Sequence, residues 1–214
     1  MMSDWRSVLK KDPTGWLLER NNPSVRYFTL TEVLDKPVGG REAREAKNEI
    51  MRVGVVPRIL AEQSDEGWWE AWDRFYTAKY KGTVWQLIIL AELGADSKDP
   101  RVRNACEFIL GTSQDRESGG FSCARARTST GGGSHNAVLP CLTGNMVWSL
   151  IRLGFLGDAR VQRGIEWITR YQRFDDGIEI PAKGWPYDGN KDCFGTHTCH
   201  MGVVKALKAL AEIP

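Results

Sequence analysis

Thiols and imidazoles crowd into one third of this chain. Cys123, His135, Cys141, Cys193, His197, Cys199 and His200 are all of its cysteines and histidines except Cys106. Soft thiolate and neutral imidazole donors select zinc, so their concentration is the sharpest chemical hint in the sequence. The densest stretch is Cys193-Phe-Gly-Thr-His197-Thr-Cys199-His200. With its second half helical, positions 193, 197 and 200 would project to one side at the i, i+4, i+7 spacing, and Cys199 would point away. No paired C-x-x-C knuckle occurs, which argues against a zinc finger. The plainer reading makes Cys106, Cys141 and Cys199 small core residues, since free cysteine is among the most buried types.

Other candidates are less specific. Asp175-Asp176 precedes Gly177, the composition of a solvated turn. The run Gly131-Gly-Gly-Ser-His-Asn lacks the lysine and the strand–helix setting of a phosphate loop and reads as a flexible loop, able to close over a ligand. Trp68, Trp69, Trp72, Phe75, Tyr76, Tyr80 and Trp85 form the densest aromatic stretch, suited to packing between helices or to walling an apolar cavity. Lys79-Tyr80-Lys81 beside it reads as a solvated face.

An internal repeat supplies the elements that must position these groups. Arg101-Val-Arg-Asn-Ala-Cys-Glu-Phe-Ile matches Arg160-Val-Gln-Arg-Gly-Ile-Glu-Trp-Ile position by position. Upstream, the apolar run from Gly82 to Gly94 echoes that from Gly144 to Gly154, with a third copy from Gly202 and a weaker one from Val25. The period of about 55–60 residues is slightly longer than that of common solenoid repeats. Each unit reads as two helices. The first is apolar on most sides and stops at Gly94 or Gly154. An Asp-capped second helix follows, amphipathic, opening at Asp99-Pro100 in one copy and ending near Gln63, Gln114 or Gln172. A Gly- and aromatic-rich loop then leads to the next unit. Fold class is therefore all-α: helical hairpins, inner helix buried and outer helix half-exposed.

Composition bounds the function. A chain of 214 residues with 42% hydrophobic content can bury one sizeable core, read as a single repeat domain over 1–214. A net charge of +2 implies no general attraction to nucleic acid. The longest apolar run, Val84 to Leu93, is broken by Gln86 and Glu92, so no transmembrane segment is expected. The start of the chain has no apolar leader, and its unpaired cysteine pattern suits a reducing cytoplasm.

The Gln…Gly-Gly-Phe pattern before an inner helix resembles the repeat of the terpenoid cyclase and protein prenyltransferase α/α-toroid superfamily, from about Trp16 to the end. Two local stretches resemble prenyltransferase β subunits. Gly119-Gly-Phe121 leads through Arg125 and Arg127 to Pro140-Cys141-Leu142, and His197-Thr198-Cys199 opens the last inner helix. The resemblance implies Zn2+ held by Cys141 and His197, with Arg125 and Arg127 where that family grips a prenyl diphosphate. That family's aspartate ligand is replaced here by Leu139, so Cys193 or His200 would complete the set. Cys141, Cys193 and His197 alone leave a catalytic position open, whereas adding His200 or Cys123 closes the sphere. The lanthionine cyclases of the same superfamily use a Cys–His pair, which brings in Cys199-His200. Trp85 and Trp148 on inner helices would line a cavity for an isoprenoid or other apolar ligand.

The Asp-x-Asp-Asp acid of the cyclases proper has no counterpart beyond Asp175-Asp176, so cyclisation by that route is not expected. About three and a half hairpins are present, fewer than a closed toroid needs, and an uncapped repeat stack exposes apolar surface. The reading is thus an incomplete toroid, truncated at its C-terminus or completed by missing hairpins or a second subunit. The alternative function is a non-catalytic helical-repeat scaffold, with a structural metal or none.

Overall fold

The computed structural model describes residues 9–127, 131–180 and 182–214. The N-terminal residues read above for a leader lie outside them. Among the described residues the chain is all-helical, and pairing of the β type is confined to isolated bridges. The helices are α1 (Thr14–Leu17), α2 (Pro23–Phe28), α3 (Arg41–Ile50), α4 (Val55–Ala61), α5 (Thr83–Glu92), α6 (Pro100–Thr112), α7 (Pro140–Arg152), α8 (Ala159–Tyr171), α9 (Lys191–Phe194) and α10 (His200–Leu210). They form two compact units, Met1–Ala61 with Leu93–Ala95, and Glu62–Glu92 with Asp96–Pro214.

In the first unit, α2 runs into a π-helical turn, Thr29–Val33, and packs on α3. Leu30, Ala43, Ala46, Ile50, Val56 and Leu60 are its buried apolar residues. Polar side chains tie the 93–95 segment into it. Ser24 Oγ donates to the Leu93 carbonyl at 2.8 Å, and Lys47 Nζ donates to the Gly94 carbonyl at 2.8 Å.

The second unit contains the helical hairpins. Helix α6 is fixed at its start by Asp99, whose carboxylate accepts from the Arg101 amide at 2.9 Å, with Pro100 in the first turn. Asp158 repeats the device for α8, accepting from the Arg160 amide at 2.8 Å. Such a cap satisfies a backbone donor that the helix itself cannot, and contributes about 1 kcal/mol. Apolar residues at helical spacing then turn inward: Val102, Cys106, Ile109 and Leu110 on α6, and Val161, Trp167 and Ile168 on α8. Each such side chain contributes roughly 1.5–3 kcal/mol on burial.

Helix α6 packs on α5 and α8 on α7, while α7 also packs against α5 and α10. The inner row is therefore α5, α7, α10, and the outer row α6, α8. Two glycines make this possible. Gly154 closes α7 at φ +84°, a left-handed conformation costly for other residues. Gly144 lets α10 approach so closely that a Cβ there would meet the Lys205 carbonyl carbon at 2.6 Å.

The repeat is also written in its hydrogen bonds. Gln63 Nε2 donates to the Arg101 carbonyl at 2.9 Å, and Gln114 Nε2 to the Arg160 carbonyl at 2.7 Å. Each glutamine thus reaches the first turn of an outer helix, α6 or α8. Likewise the Trp69 amide donates to Thr83 Oγ1 and the Phe121 amide to Thr143 Oγ1, pinning each aromatic loop to the inner helix after it. Gln172, the third glutamine, reaches only the adjacent Arg173 carbonyl, and its Oε1 is buried without a partner.

Candidate functional site

The chemistry-bearing residues collect where the inner helices begin. Trp85 lies in the first turn of α5, Cys141 in the first turn of α7, and Cys199 immediately before α10. Tyr76, whose carbonyl accepts from Trp85 Nε1 at 3.0 Å, is within electrostatic reach of Cys141, Cys123 and Cys193. The three inner helices therefore bring their N-terminal ends to one side of the unit. The dipoles of these helices give that side a positive potential.

One wall of the site is aromatic. Tyr76 stacks on Trp85 with ring centroids 6.1 Å apart, and Tyr80 lies 5.5 Å from Trp85 on a tilted plane. Trp72 and Tyr80 are exposed, 48% and 75% respectively. The Arg125 guanidinium covers Trp72, 4.5 Å from the ring centroid. Arg125 and Arg127 are both exposed, as an anion-facing pair would be. Trp148, the other expected cavity residue, is placed differently. It is buried, its Nε1 donates to Glu212, and Lys208 Nζ sits 3.5 Å from its ring centroid. Its face is filled by the protein's own cation.

The other wall carries sulfur. Cys193, Cys199 and Cys141 lie within electrostatic reach of one another, and the Cys199 amide donates to the Cys193 carbonyl at 3.1 Å. Burial, followed by the neighbouring Cys199 and Cys141, pushes the Cys193 thiol up to about 12. Burial likewise raises Cys141 and Cys123. Cys106 is separate, fully buried in the core, and pushed up to about 12 by that burial.

The helical spacing expected for residues 193, 197 and 200 is not what forms. Helix α9 ends at Phe194 and α10 begins at His200, with a turn between them closed by an antiparallel bridge of Phe194 to Thr198. The turn swings Cys199 back onto Cys193 instead of away from it. His197 faces outward, its Nδ1 3.1 Å from Asp176 Oδ1, and its side chain is 76% exposed. His200 is exposed as well. Among the described residues no three His, Cys, Asp or Glu side chains converge closely enough to hold an ion, so Cys141, Cys193, His197 and His200 do not share a centre as placed.

Asp175 and Asp176 occupy the expected exposed turn. Asp175 pairs with Arg173 at 2.9 Å, and Asp176 with His197. The Gly131–Asn136 segment, read as a flexible loop, is instead tied down. The Gly133 amide donates to the Gln114 carbonyl and Ser134 to the Ala124 carbonyl, each at 2.8 Å. Sequence reasoning also missed a buried pair there. His135 Nδ1 lies 2.8 Å from Asp115 Oδ2, and the His135 ring stacks on Trp185 at 4.1 Å. Burial alone would raise Asp115, but hydrogen bonds from Ser118 and His135 outweigh it and hold the carboxyl low. Only the aromatic at Trp185 could have signalled the contact.

A groove of about 520 Å³ in the first unit involves none of these groups. It is lined by Arg20, Arg26, Arg41, Glu45 and Glu49, and Glu45 already receives the charge of all three arginines.

Residues 36–187 match the family model for the squalene-hopene cyclase C-terminal domain. The chain belongs to that family, and thus to the terpenoid cyclase superfamily that its repeat resembles. No curated protein and no solved structure matches it. No helix among the described residues is long and apolar enough to cross a membrane.

Proposed function

We propose that this chain is a terpenoid-cyclase-type helical domain that binds an isoprenoid or similar apolar, unsaturated ligand at the N-terminal ends of its inner helices. The observation carrying this reading is the ring group of Tyr76, Tyr80 and Trp85, in which Tyr80 is exposed and the other two are half-buried. Aromatic faces left partly open to water suit polarizable, unsaturated chains. Arg125, over the Trp72 ring, favours an anionic head group. The proposal is of binding alone; the Asp175–Asp176 pair is committed to Arg173 and His197 at the surface.

Zinc is a separate proposal resting on donor chemistry. Cys141 and Cys193 are the members of the expected set that lie near one another, and His197 could join them only by leaving Asp176. Isothermal titration with farnesyl diphosphate tests the ligand reading. Saturable binding is expected, weakened about tenfold in Trp85→Ala, equivalent to about 1.4 kcal/mol. Absence of saturation, or equal affinity in the variant, would overturn it.

A second reading is favoured by α10. Met201, Val204 and Leu207 are 59%, 56% and 51% exposed and lie along one stripe. Outer helices cover α5 and α7, but none of the described helices does so for α10. Gln172 lacks the helix-start carbonyl that Gln63 and Gln114 reach. An amphipathic helix, from a further hairpin or a second subunit, fits this edge. Self-association or partner binding lost in Leu207→Glu would support the scaffold reading, and a monomer with unchanged properties would sink it.

A further inference from the structure

Cys193 and Cys199 flank a five-residue turn in which Phe194 and Thr198 oppose one another in an antiparallel bridge. The Cys199 amide donates to the Cys193 carbonyl at 3.1 Å. That register sets Cys193 opposite Cys199, one step outside the bridge. A direct backbone hydrogen bond between two residues brings their Cα atoms near the roughly 4.4–6.8 Å that a disulfide spans. Their thiols are near enough to act on one another electrostatically. The turn is anchored from within, because Phe194 and Thr198 are both buried. Thr198 Oγ1 also donates to the Asp175 carbonyl at 2.5 Å. Both cysteines are only half-buried, so a small reagent can reach them, which the fully buried Cys106 does not allow.

We propose that Cys193 and Cys199 form a thiol-modification site that reacts with small-molecule disulfides and closes to an intrachain disulfide. Because burial keeps the Cys193 thiol protonated, the Cys199 thiolate attacks a sulfur of the reagent, forming a mixed disulfide and expelling one reagent thiolate. The second cysteine gives its proton to solvent and attacks the first, forming the Cys193–Cys199 bond and expelling the other reagent thiolate. The two expelled thiolates take up protons, so the protein loses two electrons and two hydrogens and the reagent gains them. Because the fold holds the second thiol beside the first, closure outruns accumulation of the mixed disulfide. Cys141 takes no part.

The test treats the full chain with oxidised glutathione in the presence of a metal chelator. Free thiols are then trapped by alkylation, and the tryptic peptide from Asp192 to Lys205 is weighed. A peptide lighter by two hydrogens is expected, formed at least about tenfold faster in the native chain than in denaturant. Cys141→Ser should leave closure unchanged, whereas Cys193→Ser and Cys199→Ser should each stop at a mixed glutathione adduct. A stable adduct in the wild-type chain, a bond to Cys141 or Cys123, or equal rates in native and denatured protein would overturn the proposal.

Discussion

The side-chain amide of Gln114 donates to the backbone carbonyl of Arg160 at 2.7 Å, and to the carbonyl of Gly119 at 2.8 Å. One buried residue thereby fastens the aromatic loop of its own hairpin and the outer helix of the next. In Gln114→Ala the Gly119 carbonyl loses this donor, while the Arg160 carbonyl keeps its bond within α8. That variant is expected to lose about 1–3 kcal/mol, the cost of one unsatisfied buried group. Gln172→Ala should cost far less, because that side chain links nothing beyond its neighbour. Urea denaturation of the two variants checks the difference, and equal losses would show that the link adds little.

Gly144 sets the approach of α7 to α10. Gly144→Val places carbon against the Lys205 and Ala206 backbone, which has no flexible end to move aside. A loss of about 1–3 kcal/mol is expected from overpacking of this kind. A thermal melt unchanged by the substitution would mean that α10 shifts freely on α7.

The carboxyl of Asp115 is held low by Ser118 and His135 despite the burial that opposes it. Its folded-state value therefore lies below the unfolded value of about 3.9. The stability it contributes is fully present above that unfolded value and is lost as pH falls through the folded one. The stability gap between wild type and Asp115→Asn should shrink progressively as pH falls below about 4. A gap that widened on acidification would reverse the assignment.

Metal content separates the donor sets. After loading with zinc and removal of excess, His197→Ala should retain as much zinc as wild type, because His197 already faces Asp176. Cys141→Ser and Cys193→Ser should lower it if the thiols hold the ion. Loss in His197→Ala would show that the 193–199 turn rearranges around metal.

The hairpins were legible because their signals are local. Asp99 and Asp158 announce helix starts, Gly94 and Gly154 announce stops, and the apolar spacing between Val102 and Leu110 assigns a buried face. The residues around the site were legible in type but not in arrangement. Whether Cys199 meets Cys193 depends on the Phe194–Thr198 bridge and on bonds from the Thr198 side chain to Asp175 and from its amide to Asp176. Those partners lie more than twenty residues away, beyond any periodic pattern. Trp148 shows the same limit. Its place on an inner helix was readable, but the Lys208 ammonium that fills its face comes from α10.

The glutamine links carry an evolutionary corollary. Gln63 spans 38 residues of chain to Arg101, and Gln114 spans 46 to Arg160, yet both end on the first turn of an outer helix. The side chain acts as a ruler of fixed length laid across intervening sequence of variable length. Insertions such as the excursion from Ser122 to Leu139 can therefore lengthen, diversify and acquire chemistry while the spacing of successive modules stays the same.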